Sequence, residues 1–284
     1  ENTAVGKDSG ESITTGANNV AVGSRALDTN TTGDFNVAIG RRALDSNTTA
    51  DNNTAVGSSA LEINTTGADN VAIGMQSLAS NTTGDQNTAV GPSALGGVTT
   101  GKGNIGIGYY ANSRTTTTDY NISIGAESYG STGTRNITMG YRAMLTEHSL
   151  NYNIAIGHMS LHYPGAGGNG YNIAIGDMAM YGSVGDADFN TALGVRALYS
   201  IRNGGANVAI GHQAGYDLLD GNTGVYIGYY AGHNTLGNDN VIIGHDAGEF
   251  ATGSYNTFVG AEAGKGGTTS APFSSGQNNV AVGY

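Results

Sequence analysis

The sequence is poor in the residues that form disulfide bonds or end regular secondary structure. It has no cysteine and no tryptophan, and only 3 of its 284 residues are proline. Without cysteine, disulfide bonds and thiol chemistry are excluded. Charged residues make up 12% of the chain, roughly half the usual share. No apolar run approaches the ~18–20 residues that cross a bilayer, so we expect no insertion into a membrane.

Basic residues are scarcer still. The chain has 11 Lys and Arg against 22 Asp and Glu, which gives a net charge of −11 and a pI of about 4.7. Nucleic acids and anionic membranes attract basic surfaces, so neither is an expected partner. Much glycine with little charge is also typical of disordered chains. Here, however, apolar residues return at fixed places.

A short unit repeats along the whole chain: Asn, a β-branched residue, usually Ala, an aliphatic residue, then Gly. Fixed-period repetition outranks local signals in predicting a fold. Of the 48 Gly, 17 close a copy; we call these the repeat glycines and number other positions from them. The first eight are 17 residues apart, and later intervals run from 15 to 23. The repeat glycines are Gly6, Gly23, Gly40, Gly57, Gly74, Gly91, Gly108, Gly125, Gly140, Gly157, Gly176, Gly194, Gly211, Gly228, Gly244, Gly260 and Gly283.

The composition of each position is nearly constant. Position −4 is Asn in every copy except one, which has Gly224. Position −3 is Val, Ile or Thr, position −1 is Val, Ile, Leu or Met, and position +3 is Ala or Ser. The alternation of Val-Ala-Ile has a period of two, which predicts a short strand. We expect its two aliphatic side chains to line the interior and the small Ala to face the other way, toward a second surface.

The rest of each copy completes one coil. We expect a second short strand over a segment such as 24–27, and a polar return loop such as 30–33. A lone coil buries two or three aliphatic side chains, worth ~1.5–3 kcal/mol each. That gain does not offset the ordering of a whole coil at ~1–2 kcal/mol per residue, so coils must stack with their strands in parallel. The predicted fold is therefore all-β, a parallel β-solenoid with one coil per repeat of about 17 residues.

Stacking also places the asparagines over one another, where each amide bonds the next as a structural ladder. The predicted ladder residues are Asn19, Asn36, Asn53, Asn70, Asn87, Asn104, Asn121, Asn136 and Asn153. Both ends of the sequence stop within the pattern, so we expect an excerpt of a longer fibre.

These units resemble two families of fibrous proteins. The segments Asn36–Ala43 and Asn207–Ala214 resemble the head repeats of YadA-like trimeric autotransporter adhesins. The segments Asn53–Leu61 and Asn81–Gly84 are even more similar to repeats of bacteriophage tail fibres. The resemblance implies a left-handed parallel β-roll, a coaxial homotrimer with the inner strands at its interface, and an extracellular location on a virion or a bacterial surface.

The sequence departs from the adhesin pattern in two ways. Its unit is longer than that of the adhesin heads, which predicts a larger cross-section. Tyr226, Ile242 and Phe258 replace the usual Ala. These larger side chains suggest a wider trimer interface, or a different face, in the later coils.

Composition divides the chain into residues 1–101, a regular β-roll shaft, and residues 102–284, a continuation with longer loops rich in Tyr and His. All 16 Tyr and all 6 His lie at or after Tyr109. Aromatic residues on a rigid scaffold are often recognition surfaces, but they also fill corners of broader coils. The candidate ligand-binding residues are Tyr109, Tyr110, His212, Tyr229, Tyr230 and His245.

Two groups of residues resemble metal ligands, but no metal site is expected. His158 and His162 have a helical ligand spacing in a strand-and-turn context. Stacking brings the acids at position −6 close together, and Ca²⁺ would relieve their mutual repulsion. We favour the interpretation that these acids are solvated loop residues and do not bind a metal. Those acids are Asp34, Asp51, Asp85 and Asp119.

Enzymatic motifs are equally weak, so no catalytic residue and no cofactor is predicted. Gly101–Gly106 and Gly165–Gly170 match a dinucleotide fingerprint by chance, because neither joins a strand to a long helix, and Gly264-Lys265 lacks the rest of a phosphate loop. Glycan hydrolysis requires a pair of carboxylates, and the acids that could supply them are Glu127, Glu147, Glu249 and Glu262.

The expected function is a structural and adhesive fibre segment that attaches to a cell-surface glycan or protein receptor, with a phage tail fibre favoured. Three alternatives stay open: a bacterial surface adhesin, an ice-binding solenoid and a glycan-cleaving spike. The threonine pairs that repeat in register favour ice binding, and we expect their ladder to fray after Thr100. They are Thr31-Thr32, Thr48-Thr49, Thr65-Thr66 and Thr82-Thr83.

Overall fold

The computed structural model describes residues 1–129, 132–145, 150–162, 170–183, 185, 187–266 and 276–284. All its regular secondary structure consists of three-residue β-strands, one at each copy of the unit. The described residues include no helix, and hence no helical segment suited to crossing a bilayer. The strands are β1 Thr3–Val5, β2 Val20–Val22, β3 Val37–Ile39, β4 Thr54–Val56, β5 Val71–Ile73, β6 Thr88–Val90, β7 Ile105–Ile107, β8 Ile122–Ile124, β9 Ile137–Met139, β10 Ile154–Ile156, β11 Ile173–Ile175, β12 Thr191–Leu193, β13 Val208–Ile210, β14 Val225–Ile227, β15 Val241–Ile243, β16 Thr257–Val259 and β17 Val280–Val282.

The chain forms two compact units, Glu1–Arg135 and Asn136–Tyr284. In the first unit, consecutive strands from β1 to β8 pair in parallel; in the second unit, consecutive strands from β9 to β17 pair in the same way. The register joins equivalent positions, such as Ala38 with Ala55. The predicted all-β parallel β-solenoid, with one coil per repeat, is therefore confirmed. The compositional boundary at 101/102 lies within the first unit and stays a prediction.

The direction of the strand side chains is the reverse of the one expected. The central Ala38 is fully buried, whereas Ile39 beside it is 39% exposed. In β2 to β8 the central residue is likewise buried between two less buried neighbours. The core of the first unit consists mainly of the strand alanines, the alanines at position +3 and the leucines at position +4. A leucine from the opposite wall fills the narrow coil, so only a small side chain fits on the strand. The Val and Ile columns therefore lie outside.

The segment after the repeat glycine is a turn, so the expectation of a second strand was wrong. Arg25 and Leu27 have left-handed backbone angles, with φ of 56° and 53°. The N–H of Arg25 donates to Lys7 O (2.9 Å) in the preceding coil, and that of Leu27 donates to Ala43 O (3.0 Å) in the following coil. Alternating backbone conformation thus sends successive N–H groups to opposite neighbours, and the coils remain hydrogen-bonded outside the strands.

The repeat glycine is required for two separate reasons. Gly40 has φ of 135°, a conformation that side-chain-bearing residues rarely adopt. A Cβ on Gly40 would lie 2.5 Å from the carbonyl oxygen of Gly57 in the next coil. No larger residue is compatible with this stacking distance.

The predicted asparagines form a buried ladder within each unit. Asn36 N–H donates to Asn19 Oδ1 (2.9 Å), and its own Nδ2 donates to Ala50 O (2.8 Å). In several coils the amide also donates to the preceding amide, as from Asn87 to Asn70 (3.1 Å). Asn153 N–H bonds Asn136 Oδ1 in the same way (2.9 Å) in the second unit. Each side chain thus satisfies backbone groups that the coil corner leaves unpaired.

The large residues at the Ala position point into the coil, which overturns the expectation of a wider interface or a different face. Tyr226 and Ile242 are fully buried, and Phe258 is 3% exposed. Position +4 is glycine in these coils, and a Cβ on Gly232 would collide with the Tyr226 ring. Gly224, which interrupts the Asn column, would likewise collide with Tyr226. The core keeps its volume by exchanging large and small residues between its walls.

Candidate functional site

The predicted aromatic stripe at position +1 forms a stack in the second unit. The rings of His212 and Tyr229 lie 5.0 Å apart at 11°, and those of Tyr229 and His245 lie 5.3 Å apart at 7°. Tyr230 packs edge-on against Tyr229 at 4.4 Å, and its hydrogen bond raises the pKa of the Tyr229 hydroxyl. Stacking covers the ring faces, so the stripe offers mainly ring edges and polar atoms to a partner.

Tyr109 and Tyr110 belong to the first unit and have a different environment. Their rings contact each other edge to face at 4.5 Å and 83°. The neighbouring coils carry Pro92 and Ala126 at position +1, and Ser93 and Glu127 at position +2. Within the described part of the chain, each ring therefore has no ring partner except the other. With 53% and 43% exposure, these two tyrosines keep ring surface open.

A longer stack at position +5 of the second unit was missed by sequence reasoning. Its rings lie 4.8–5.4 Å apart and within 14° of parallel. Burial lowers the pKa of His162 and His233 and raises that of Tyr216, so the stack favours neutral side chains. The signal was available in the constant offset from the repeat glycine, but the changing intervals hid it. The stack consists of His162, Tyr181, Tyr199, Tyr216 and His233.

A third aromatic stack lies at position −5 of the second unit. Tyr152 and Tyr171 stack at 4.9 Å, and Tyr171 and Phe189 stack at 5.1 Å. The three rings are between 44% and 60% exposed. This stack was not predicted from the sequence. Regular offsets again explain why they meet.

The candidate metal ligands do not converge. His158 Nδ1 lies 2.8 Å from Asp177 Oδ1, whereas His162 Nδ1 lies 2.9 Å from Arg142 O at another position of the coil. The acids at position −6 accept backbone N–H groups of the preceding coil, as Asp51 Oδ1 does from Asp34 (2.7 Å). Over the residues that the structure describes, no three His, Asp or Glu side chains form a metal-binding group.

The described residues of the enzyme-like motifs have structural roles. Gly106 occupies the Ala position of β7, and Gly101 stacks against Thr118. Lys265 contacts Asp246 (3.0 Å), Glu262 (3.5 Å) and Glu249 (3.7 Å), and Asp246 is the main cause of its raised pKa. Glu147 and most of Gly165–Gly170 lie outside the described residues. Glu127 lies at position +2 beside the tyrosine pair.

The first unit contains a groove of about 520 Å³. It is lined by positions +2, +5 and +6 of the three successive coils that begin at Gly74, Gly91 and Gly108. In the preceding coils position +5 is acidic and is bridged by arginines at position +2; Asp45, for example, contacts Arg25 (3.3 Å) and Arg42 (3.2 Å). The groove begins where position +5 becomes small, at Ala79, Gly96 and Ser113. Tyr110 is part of its lining.

These features define the chain as a parallel β-solenoid with a single strand per coil and columns of like residues along each unit. No protein-family model matches the chain, and no curated protein matches it. The resemblance to phage tail fibres and trimeric adhesins thus rests on the repeat residues alone.

Proposed function

We propose that the chain is a structural and adhesive segment of a fibre that attaches to a cell surface, and that it acts as a homotrimer. A phage tail fibre is favoured over a bacterial surface adhesin because of the Asn-Thr-Thr-Gly loops. Three parts of this proposal come from the resemblance to the two fibre families: the left-handed coil, the assembly of three chains and the extracellular location. Support from the fold comes from the outer face of the strands.

The outward strand face carries this proposal. Positions −3 and −1 are Val, Ile, Leu, Met or Thr in every strand, with no charged residue. Ile39 and Ile73 remain 39% and 41% exposed in the single chain. Along the eight strands of the first unit this face runs for roughly 34 Å. Monomers rarely expose a continuous apolar surface of this kind, and repeated in-register columns suit burial against identical columns of further copies.

The mass of the particle in solution tests the homotrimer. Native mass spectrometry should give three times 28.7 kDa. The double variant Ile39→Lys/Ile73→Lys places charges on the strand face and should lower the mass to that of a single chain. The control Thr32→Lys/Thr66→Lys alters two exposed residues of the return loops and should leave the trimer intact. A wild-type monomer would overturn the assembly.

The adhesive part requires a separate test. Fluorescently labelled trimer should bind cells of at least one strain in a bacterial panel, and unlabelled trimer should compete. The absence of binding to every strain would leave a purely structural segment. Glycan cleavage would appear instead as shortened polysaccharide after incubation, which we do not expect because Glu249 and Glu262 are both engaged by Lys265.

Ice binding is a second candidate, because one threonine column of the first unit is fully open. The ladder continues one coil beyond the predicted end at Thr100, since Thr99 Oγ1 donates to Thr116 O (3.0 Å). Thr99 belongs to the column beside the exposed one. Hydroxyls of that column donate to carbonyl groups of the next coil, as from Thr31 to Thr48 O (3.0 Å), and are not available to ice. Thermal hysteresis of the trimer would favour this function over adhesion. The exposed column is Thr15, Thr32, Thr49, Thr66, Thr83, Thr100 and Thr117.

A further inference from the structure

The groove of the first unit has the composition of a saccharide site, and we infer that it binds a short sugar chain carrying a carboxylate. The inference rests on the proposed function, because it names the class of receptor that the fibre would attach to. It includes Tyr110 from the predicted ligand-binding residues, and it extends recognition into residues 1–101, which were predicted to be a regular shaft. In the second unit, stacking covers both faces of the inner rings, and only rings at the ends of a stack, such as Phe189, keep one face open to a sugar ring.

The size of the groove fits an oligosaccharide. A volume of about 520 Å³ lies within the range of small-ligand sites, roughly 300–1,000 Å³. Three coils at ~4.8 Å spacing give a length on the order of 10–15 Å, which accommodates two or three sugar rings. The small residues at position +5, Ala79, Gly96 and Ser113, allow the ligand to approach the backbone.

One end of the groove provides an aromatic surface and a cation. Tyr110 is 43% exposed, and the C–H face of a pyranose ring packs well on such a surface. Arg114 is the single charged residue among those that line the groove. It has no ion pair with a carboxylate of the described residues. A guanidinium with free donors favours a bidentate carboxylate.

Polar side chains along the groove match the hydroxyl groups of a sugar. Gln76, Ser80 and Ser113 supply amide and hydroxyl groups. Ser93 is only 9% exposed, and its hydroxyl has no hydrogen bond to any described residue. A nearly buried hydroxyl that lines a groove without a protein partner is suited to a ligand.

Charges beyond the groove orient the ligand. In the coil before it, position +5 is Glu62, which is held by Arg42 at 2.7 Å. A carboxylate at that end would meet an acid. At the other end Glu127 lies beside the tyrosine pair but does not line the groove, and Arg114 is the charged residue that does. The acidic group should therefore lie beside Tyr110 and Arg114, and the neutral rings should extend toward Ala79.

A saccharide fits these groups better than an acidic peptide does. Extended peptides are usually held by unpaired backbone groups of a strand edge. None of the residues that line the groove belongs to a strand. Several of their N–H groups are also paired between or within coils: Ser93 donates to Met75 O (2.9 Å), Gly96 to Ser93 O (3.1 Å) and Tyr110 to Pro92 O (3.1 Å). The side chains that line the groove are hydroxyls, one amide, one ring and one guanidinium, which suit a saccharide.

Calorimetric titration of the full chain with defined probes tests the inference. The acidic probes are trigalacturonate, hyaluronan tetrasaccharide and 3′-sialyllactose; the neutral counterparts are the trigalacturonate methyl ester, chitotetraose and lactose. We expect at least one acidic probe to bind with a dissociation constant below about 10 mM, and its neutral counterpart to bind at least about tenfold more weakly.

Matched variants locate the binding. Arg114→Gln should weaken it at least about tenfold, since it removes a charge-assisted contact, whereas Lys102→Gln removes another exposed cation of this unit and should have no effect. Tyr110→Phe should retain binding and Tyr110→Ala should lose it. Ala79→Glu should abolish binding, and its fold should persist because Glu62 occupies the same position one coil earlier.

Three results would overturn the inference: no acidic probe binds, Lys102→Gln weakens binding as much as Arg114→Gln, or the peptide Ala-Glu-Ala binds instead. The assembly mass and cell-binding assays separate this outcome from the proposed function. A trimer that binds cells but no acidic probe leaves the fibre function standing without this site. A monomer that binds the probe but no cells keeps the site and removes the fibre.

Discussion

Position +5 carries Asp28, Asp45 and Glu62 in successive coils of the first unit, whereas the second unit carries a stack of His and Tyr rings there. The backbone ladders are the same in both units. Like charges about 5 Å apart repel, so the acidic column needs the interleaved Arg25 and Arg42. Rings stack on one another at the coil spacing, and position +2 adds contacts such as Arg196 over Tyr199 and Tyr230 against His233. A column therefore persists when a neighbouring column neutralises its charges or when its members stack.

The two units also differ in how they fill the core. The first combines Ala on the strand with Leu at position +4. Late coils of the second combine Tyr226 or Phe258 on the strand with Gly at position +4. In both arrangements a large residue on one wall faces a small residue on the other, and both units keep the repeat glycines and asparagines that satisfy backbone geometry.

The largest effect should come from the geometry that the units share. Gly57→Ala and Gly211→Ala should each destabilise the protein by about 4 kcal/mol or more, because φ exceeds 130° at both positions and the Cβ meets the backbone of the next coil. Denaturant unfolding followed by circular dichroism measures this. Gly96→Ala is the control, since its Cβ would lie 3.1 Å from the nearest atom. An unchanged midpoint for either variant would refute the shared requirement.

The second-largest effect on stability should come from changing the pair of residues that fills the core of a coil. Tyr226→Ala should cost about 3–5 kcal/mol through the cavity that it leaves, and Gly232→Leu should clash with the ring. The double variant Tyr226→Ala/Gly232→Leu recreates the Ala and Leu pairing of the first unit, and should cost well under the sum of the two. Additive losses in this double-mutant cycle would show that the walls do not compensate one another.

Replacing a ring by an acid should have a smaller effect. Tyr199 stacks on Tyr181 and Tyr216 at 5.3 and 4.8 Å, and each contact is worth about 0.5–1.5 kcal/mol. Tyr199→Asp should therefore destabilise the protein by about 1–3 kcal/mol, and Tyr199→Phe should be close to neutral. Equal losses for both variants in denaturant unfolding would mean that the hydroxyl, and not the stacking, matters.

The smallest effect should be a pH dependence confined to the second unit, which contains all six histidines. Burial lowers the folded-state pKa of His162 and His233, although Asp217 and Glu249 oppose the shift at His233. The unfolded chain then binds more protons below about pH 6.5, and stability falls as the pH drops toward the folded pKa.

Hydrogen exchange at about pH 7 and about pH 5.5 resolves the two units separately. After correction for intrinsic rates, protection should fall around residues 150–162 and 225–240 more than in residues 1–129. His162→Gln/His233→Gln should remove most of the difference. An equal loss of protection in the first unit, which has no histidine, would assign the effect to carboxylates.

Much of the fold was predictable because the repeated positions can be recognised in the sequence even when the buried face of the strand is unknown. The period of two in Val-Ala-Ile fixes two faces but does not say which is buried; Leu44 on the opposite wall decides that. The left-handed turn at Arg25 and Leu27 was not predictable, since neither residue favours positive φ. His212, Tyr229 and His245 were found because they follow the repeat glycine directly, whereas Tyr181 and Tyr199 required counting across uneven loops.

The burial of Asn30 has a consequence for how the protein can be produced. Asn30-Thr31-Thr32 is an acceptor sequence for N-linked glycosylation, as are the equivalent triplets that begin at Asn47, Asn64 and Asn81. All four asparagines are fully buried, and Asn47 Nδ2 donates to Asn30 Oδ1 at 2.9 Å. A eukaryotic secretory pathway modifies such sites on the nascent chain, so attached oligosaccharides would wedge adjacent coils apart before they close. Expression in a bacterial cytosol avoids this glycosylation.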